Sequence, residues 1–382
     1  MADDPTHIYV DLDILNNDQT TNEDPPHLRF EETRNSPFID GDTKDYFCSI
    51  IRFSLQTGNS LPIFIPRIQT GQSDVNKTVY SVSIEPYTAG GVQAIRTVYL
   101  QYESWNSAPT PQPPQSRQDL STDYYYVNSY QQFVQMINRA LKSCHEGAFS
   151  GYTVKPAIPY VQFDTQTHLF VLYCDQGYFD TPSQGTPPVA NPAKIWFNNR
   201  LYQLLSTFPA KFNGTQGELN YQIVVDSTLS GKNRVYSDTG ALLYSQVPVY
   251  QEISTVSTWN PVASIVFGTS LIPVLPTQTS PAKLFNGDST NMTSGGNNAN
   301  ISSILTDFEV SVTENNQYRP TINMNPTSEF RFIEMNSVTN LNKIDLIAYW
   351  KTHYGDLIPL KLQPGCAAHV KLLFRHRRFN NE

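Results

Sequence analysis

The stretch KIDLIAYWKTHYGDLIPLKLQPGCAAHVKLLFRHRR, residues 343–378, decides the fold of this chain. Side chains alternate between two faces along residues 344–349 and again along residues 367–375, which predicts two β-strands. One face of the second strand is wholly apolar and carries Ala368, Val370, Leu372 and Phe374. Because so apolar a face needs a sheet to lie against, we expect this strand to be the last strand of a jelly roll.

The composition favours the same β-rich class. Charged residues make up only 16% of the 382 residues and aromatic residues 12%, and the chain holds 22 Tyr and 27 Pro. Short strands faced with Tyr, Thr and Val and separated by Pro and Gly have this composition, whereas helical proteins are richer in Lys, Glu, Leu and Ala. The length suggests about two domains, at the usual ~100–200 residues each.

The pattern along the chain predicts a mainly β fold, a single jelly-roll sandwich with an inserted α+β domain. Residues 1–26 are polar and acidic, and we expect an N-terminal arm that becomes ordered on a neighbour, with only residues 8–10 able to pair as a strand. We assign residues 27–104 and 248–382 to the jelly-roll base domain. Residues 105–247, which open with a Pro-rich stretch that we interpret as a linker, are expected to form the inserted domain.

Two helices are predicted inside the insertion. Residues 130–144 have apolar side chains at helical spacing, and Ser129 is a suitable N-cap. Residues 193–208 are the second candidate helix. Between the two, residues 160–163 and 168–174 predict a β-hairpin.

The sequence offers no catalytic motif, so we expect neither an enzyme nor a cofactor. It lacks a G-x-S-x-G elbow and a phosphate-binding loop. His353, His369 and His376 are the only histidine cluster, and their spacing does not fit a zinc site. The four cysteines form no C-x-x-C pair, which indicates reduced thiols in an intracellular protein: Cys48, Cys144, Cys174 and Cys366.

A glycan-directed function remains the alternative at this stage. Asp307 with Glu309, and Glu329 with Glu334, are pairs of the kind that glycoside hydrolases place about 5 Å or 6.5–9.5 Å apart. Same-face carboxylates are common on solvated sheets, so the structural interpretation is favoured. Surface Tyr and Trp side chains keep open a carbohydrate-binding module or a glycan-acting enzyme with a β-sandwich fold.

Charge is distributed unevenly along the chain. The formal net charge of −8 argues against nucleic-acid binding by the chain as a whole. The basic residues near the C-terminus are the candidate partner contact: Lys371, Arg375, Arg377 and Arg378. They suit a contact with genome, membrane headgroups or an acidic neighbour, and a solvated end explains them equally well. No apolar run approaches the ~20 residues of a transmembrane helix.

Four stretches carry a resemblance to a known family. They are YYYV at 124–127 leading into FVQMIN at 133–138, IWFNNRLY at 195–202, WNPVASI at 259–265, and Pro364-Gly365 before KLLF at 371–374. Together they resemble the minor capsid (penton) proteins of virophages and Polinton-like viruses. The resemblance implies a single jelly roll whose base sits in the capsid shell, with the inserted domain projecting outward.

The same resemblance implies a structural role and a set of partners. We expect a homopentamer at the five-fold vertices of an icosahedral virion, surrounded by a major capsid protein with a double jelly roll. Apart from the resemblance, the charge of the basic C-terminus makes the genome or an inner membrane a candidate partner, and a projecting insertion makes a host-surface glycan another. The expected location is the capsid vertex of the virion, after assembly in the host cytoplasm.

Overall fold

The structure is a computed structural model that divides into two compact units. It describes residues 6–17, 25–58, 60–86, 94–105, 108–179, 192–226, 233–236, 242–275, 283–285, 292–294, 303–310, 321–324 and 331–379. The first unit comprises Met1–Ile63, Asp119–Asp123 and Pro261–Glu382, and the second comprises Phe64–Gln118 and Tyr124–Asn260.

Strands are the commonest regular structure among the described residues. In chain order these are β1 (His7–Leu15), β2 (Arg29–Thr33), β3 (Tyr46–Gln56), β4 (Lys77–Glu85), β5 (Arg96–Gln101), β6 (Tyr160–Phe163), β7 (Phe170–Asp175), β8 (Lys194–Phe197), β9 (Ala210–Phe212), β10 (Tyr221–Ile223), β11 (Asn233–Tyr236), β12 (Leu242–Tyr250), β13 (Val262–Thr269), β14 (Lys283–Phe285), β15 (Met292–Ser294), β16 (Ser303–Glu309), β17 (Thr321–Met324), β18 (Ile333–Glu334), β19 (Lys343–Thr352), β20 (Asp356–Pro359) and β21 (Ala367–His376). The α-helices are α1 (Tyr130–Ala148) and α2 (Asn199–Leu204).

The first unit is a sandwich of two sheets. One sheet has the order β1-β21-β3-β17, with β18 also paired to β3. The other has the order β15-β14-β20-β19-β13-β16, with β2 also paired to β19. The rings of Phe53 in β3 and Phe267 in β13 meet edge to face at 4.9 Å, and both side chains are fully buried. The hydrophobic core of this unit therefore lies between the two sheets.

The stretch at residues 343–378 supplies an internal strand to each sheet. β21 pairs with β1 on one side and β3 on the other, and β19 pairs with β13, β2 and β20. Val370, Leu372 and Phe374 are each at most 2% exposed, so the apolar face of β21 points into the core as the alternation predicts. The mainly β fold is confirmed.

The second unit combines two further sheets with α1. These sheets have the orders β5-β4-β8-β10-β9 and β11-β12-β7-β6, and α1 packs against β4, β5 and β6. The Ser129 side chain accepts a hydrogen bond from the backbone N–H of Gln132, which begins α1 as predicted. Trp259 is 3% exposed and packs against four aromatic rings, those of Phe64, Tyr130, Phe133 and Phe170.

The boundaries between the two units differ from the domain boundaries expected from the sequence. β4 and β5, which we assigned to the base, pair in the sheet of β8 and cover α1, so residues 64–104 belong to the second unit. Residues 248–260 belong there too, because Trp259 lies in its aromatic core. The Pro-rich stretch is also part of this unit, where the Pro114 carbonyl accepts a hydrogen bond from Gly71 N–H at 2.8 Å.

Two local expectations differ from the structure. Residues 7–15 of the expected arm form β1 and pair with β21 of the same chain along their whole length. Residues 193–208 do not form one helix, since residues 194–197 are strand β8 and α2 has only six residues. The β-branched and aromatic side chains of Ile195, Trp196 and Phe197 favour a buried strand over a helix.

Asp345 is a fully buried carboxylate that fixes the end of β13 to β19. Its oxygens accept hydrogen bonds from the Thr269 hydroxyl at 2.7 Å, from the Ser270 hydroxyl at 2.6 Å and from Leu271 N–H at 2.8 Å. The Arg29 guanidinium lies 3.7 Å away. Burial raises the pKa of Asp345, but the hydrogen bonds from Ser270, Thr269 and Leu271 outweigh it and hold the pKa below the usual value.

We predict that Asp345→Asn lowers the free energy of unfolding by about 3 kcal/mol at pH 7. The side-chain NH2 of Asn would face buried hydrogen-bond donors that now bind a carboxylate oxygen. The folded pKa lies below the unfolded value of about 3.9, so the stabilisation is complete above about pH 4 and is lost as the pH falls through the folded pKa. Denaturant unfolding from pH 3 to pH 7 measures both effects. Asp307→Asn, at a carboxylate paired with exposed Arg331, is the control and should cost less than about 1 kcal/mol. Equal effects of the two substitutions would contradict the assignment.

Candidate assembly surface

The solvent face of the first sheet is formed largely by β1 and β21. Along β1 the side chains alternate, with Val10 and Leu12 buried and the odd-numbered side chains exposed. Tyr9 and Leu15 are each 56% exposed, which leaves two large apolar side chains in solvent at this face. The sequence analysis missed this strand beyond residues 8–10, although the alternation of Ile8, Val10, Leu12 and Ile14 signals it.

A row of charges crosses this face from strand to strand. Asp11 lies opposite Lys371 on β21, which lies opposite Arg52 on β3. The Asp11 carboxylate is 3.2 Å from Lys371 Nζ and 3.7 Å from the Arg52 guanidinium. Lys371 Nζ also lies 5.6 Å from the centre of the Tyr9 ring. The Asp11 carboxylate is therefore neutralised by basic side chains of the same sheet.

The next row repeats the pattern with a histidine. Asp13 lies opposite His369, and the Asp13 Oδ1 to His369 Nδ1 distance is 2.7 Å. Both side chains are about half exposed or more. Both carboxylates that β1 directs into solvent thus have partners on β21.

Two of the predicted basic contact residues form a separate cluster at the end of β21. Arg375 lies over the ring of Phe332 at 5.4 Å, and Arg377 lies over the ring of Phe47 at 5.0 Å. The two rings are 6.0 Å apart, so they bring the two guanidinium groups into one cluster. Arg377 also donates to the carbonyl oxygen of Met335 at 3.1 Å.

The other two predicted contact residues behave differently. Arg378 is exposed, and its Nε lies 3.4 Å from Nδ1 of the buried His376. Lys371 does not join the arginines, because it takes part in the charge row with Asp11. The structure therefore groups Arg375, Arg377 and Arg378 near the end of β21 and places Lys371 with β1.

The histidines and carboxylates singled out in the sequence lie in ordinary structural environments. His353 is exposed in a turn, His369 pairs with Asp13, and His376 packs edge to face on Tyr46. No group of three or more potential metal ligands occurs in the part of the chain that the structure describes. Asp307 pairs with Arg331 and Glu334 lies 3.7 Å from Arg377, whereas Glu329 lies outside the described residues.

The cysteines are free thiols. Cys48, Cys144 and Cys174 are buried, and Cys366 is partly exposed. Burial raises the pKa of Cys48 and of Cys144 to about 12, so both are protonated and unreactive at neutral pH. The described helices include none with the length and apolar character needed to cross a membrane.

The second unit presents a row of tyrosines on one face of the sheet β11-β12-β7-β6. Tyr160 and Tyr173 lie opposite each other and stack with ring centres 5.0 Å apart. Tyr250, 52% exposed, lies on the adjacent strand β12. Burial, and then the neighbouring Tyr250, raise the pKa of Tyr173, so its hydroxyl stays neutral.

The sequence model of the Sputnik minor capsid protein V18/19 matches residues 8–376, nearly the whole chain. The chain belongs to this family. Its members are structural proteins of the capsid, and the resemblance to virophage penton proteins is confirmed. A structural capsid role, and with it a place in the virion, follows from this membership.

Two curated relatives come from the Sputnik virophage. The chain is 35% identical to the uncharacterised protein V18 over 105 residues, which are 26% of this chain and 60% of V18. It is 24% identical to the structural protein V19 over 214 residues, which are 56% of this chain and 91% of V19. The match thus spans less than two thirds of V18 but most of V19.

Two solved structures share the fold. A chain in the cryo-EM structure of the Sputnik virophage superposes with a TM-score of 0.74 at 25% identity, over 98% of this chain and 99% of the other. The mavirus penton protein superposes with a TM-score of 0.57 at 17% identity, over 97% and 99%. Penton proteins are jelly-roll folds, so the predicted fold class is confirmed.

We predict that the charge row contributes little to folding. Asp11→Asn and Lys371→Met should each change the free energy of unfolding by less than about 1 kcal/mol, because exposed ion pairs are screened by water and salt. The Asp11 and Lys371 side chains are 51% and 28% exposed. Denaturant unfolding of the two single variants and the double variant measures the coupling, and a coupling above about 2 kcal/mol would contradict this prediction.

Proposed function

We propose that this chain is a penton, a homopentamer that closes the five-fold vertices of an icosahedral virion. The observation that carries the proposal is the superposition over 98% of the chain on a chain of the Sputnik virophage, together with the family match. The mavirus penton, which has the same fold, supports the assignment. The surrounding shell would be a major capsid protein with a double jelly roll, and assembly would take place in the host cytoplasm.

The two units suit the two roles that we propose for them. The first unit, a two-sheet sandwich, is the base that sits in the shell. The second unit, with α1 and its own aromatic core, is the projecting domain. A five-fold ring requires heterologous contacts, in which one surface of a subunit meets a different surface of the next. Among the described residues the first sheet has β1 at one edge and the different strands β17 and β18 at the other.

We predict that the purified chain forms pentamers, with five times the 43.1 kDa mass of one chain. Native mass spectrometry and sedimentation velocity across a concentration series test this, alone and with the major capsid protein. A chain that stays monomeric at high concentration under both conditions would contradict the proposal.

We also propose that the arginines at the end of β21 contact a polyanion inside the virion, either the genome or an inner membrane. Arg375 and Arg377 stack on rings that orient them, and Arg378 is exposed beside them. Oriented guanidinium groups bind phosphate oxygens in a bidentate manner. Lys371 is the natural comparison, because it has the same charge but lies with Asp11 in the charge row, apart from the arginine cluster.

We predict that replacing Arg375, Arg377 and Arg378 together with Gln weakens binding to duplex DNA or to anionic phospholipid vesicles at least tenfold. Lys371→Gln, the matched control, should leave binding nearly unchanged. Titrations at several salt concentrations measure both, and the triple variant should lose salt dependence in proportion to the phosphate contacts removed. Comparison of the titrations with DNA and with vesicles identifies the partner. Equal losses in the triple variant and the control would contradict a local contact.

A host-surface glycan is the partner that we propose for the second unit. The row formed by Tyr160, Tyr173 and Tyr250 combines flat ring surfaces with hydroxyl groups, which suits stacking against a sugar ring and hydrogen bonding to its hydroxyls. A contact of this kind is compatible with a structural penton. Glycan binding by a penton would include the carbohydrate-binding alternative from the sequence, and it requires no catalysis.

A further inference from the structure

We propose that the outer edge of β1 hydrogen-bonds to a strand of a second copy of this chain, so that the first sheet continues from one subunit into the next. This inference rests on the proposed ring and names the contact that builds it. The strand supplied by the second copy differs from β1, because two β1 edges meeting each other would form a closed dimer and not a ring.

The hydrogen bonds at both ends of β1 show which backbone groups face outward. Asn16 N–H donates to the carbonyl of Cys366 at 3.0 Å, and His376 N–H donates to the carbonyl of Thr6 at 3.0 Å. In an antiparallel pair, hydrogen-bonded residues alternate with residues whose backbone groups point away from the partner. The even-numbered residues of β1 therefore bond to β21, and the odd-numbered ones direct N–H and C=O groups to the free edge.

This edge is long and regular. The nine residues of β1 pair with β21 without a shift in register, and they span about 30 Å at ~3.4 Å per residue. In the described part of the chain, no other strand pairs with the outer side of β1. Five odd-numbered residues along one edge offer a ladder of alternating donors and acceptors to an incoming strand.

The edge also lacks the features by which proteins prevent unwanted strand pairing. Such edges usually carry Pro, Lys, a bulge or an unpaired charge. The sequence of β1, HIYVDLDIL, contains neither Pro nor Lys, and its register has no bulge. Its two acidic groups already have partners on β21, Asp11 with Lys371 and Asp13 with His369. An approaching strand would therefore meet little electrostatic repulsion.

Apolar surface beside the edge gives the contact a further source of stability. Tyr9 and Leu15 lie on the exposed side of β1, and each is 56% exposed. Their backbone groups are among those that point outward. A strand added to this edge would place its own side chains next to both, which adds apolar burial to the hydrogen bonds.

A second copy is the occupant that the topology favours. Among the strands that the structure describes, the first sheet has β1 at one edge and β17 with β18 at the other. Two edges of different sequence on one sheet are what a head-to-tail contact between identical subunits needs. The alternative is that a strand of a different capsid protein pairs with the edge of β1. Hydrogen exchange with and without the major capsid protein distinguishes the two partners.

Amide hydrogen exchange in the assembled pentamer of the unaltered chain tests the proposal, with single-residue resolution from mass spectrometry of fragments. We expect the amides of Tyr9, Asp11 and Asp13 to exchange at least tenfold more slowly in the pentamer than in dissociated subunits, while the even-numbered amides are protected in both. A pentamer in which the odd-numbered amides exchange freely would overturn the edge contact but leave the pentamer intact. Protection that appears only after the major capsid protein is added would also overturn it.

A matched pair of variants tests the same contact by assembly. Asp13→Pro removes one outward N–H and keeps every backbone hydrogen bond to β21, and proline is tolerated in edge strands. Asp13→Ala removes the same carboxylate but retains the N–H. We expect the dissociation constant of the pentamer to be at least tenfold higher for Asp13→Pro than for Asp13→Ala.

Folding is checked through the thermal midpoints of the two variants, which should agree within a few degrees. Leu15→Pro with Leu15→Ala is the second pair if Asp13→Pro does not fold. Equal assembly of the proline and alanine variants would contradict the proposal. A chain that forms no pentamer at all contradicts the proposed ring itself, which separates the two failures.

Discussion

The first unit depends on the burial of β21 between two strands from the opposite end of the chain. β21 pairs with β1 on one side and with β3 on the other, so residues before position 57 and after position 366 form one sheet. The side chains of Val370, Leu372 and Phe374 are buried in the core of the sheet that these pairings build. Each such side chain contributes about 1.5–3 kcal/mol on burial, so the pairing and the core depend on each other.

The sequence was sufficient for the fold class because strand alternation is a local signal. Residues 367–375 are predicted as a strand with one apolar face, and the structure has β21 over Ala367–His376. The same signal in β1 was missed, since His7, Asp11 and Asp13 on its exposed face make the segment resemble a solvated arm. Its apolar residues are nevertheless spaced two apart, as in any half-buried strand.

Non-local contacts account for the expectations that differed. Asp345 is a charged residue within an alternating strand, and it is fully buried because Thr269 and Ser270, about 75 positions earlier, donate to it. The strand β8 was assigned to a helix, since its pairing with β4 and β10 involves residues far away in sequence. Local propensity cannot reveal partners of this kind.

The basic residues of the candidate contact site could be predicted from the sequence, but their positions relative to one another could not. The four basic residues were identified from charge alone, and the structure separates Lys371 from the arginines because Asp11 lies opposite it. Stacking of Arg375 on Phe332 and of Arg377 on Phe47 depends on ring positions that no sequence pattern specifies. The edge of β1 likewise becomes visible only once its neighbours in the sheet are known.

The pairing of β1 with β21 has a consequence for biosynthesis. β1 leaves the ribosome long before β21, because about 350 residues lie between them. At roughly 5–20 residues per second, β1 waits on the order of 20–70 s before its partner is translated. During that interval the apolar faces of β1 and β3 are without the strand that joins them, so the nascent chain is exposed to mispairing with other nascent chains until β21 is synthesised.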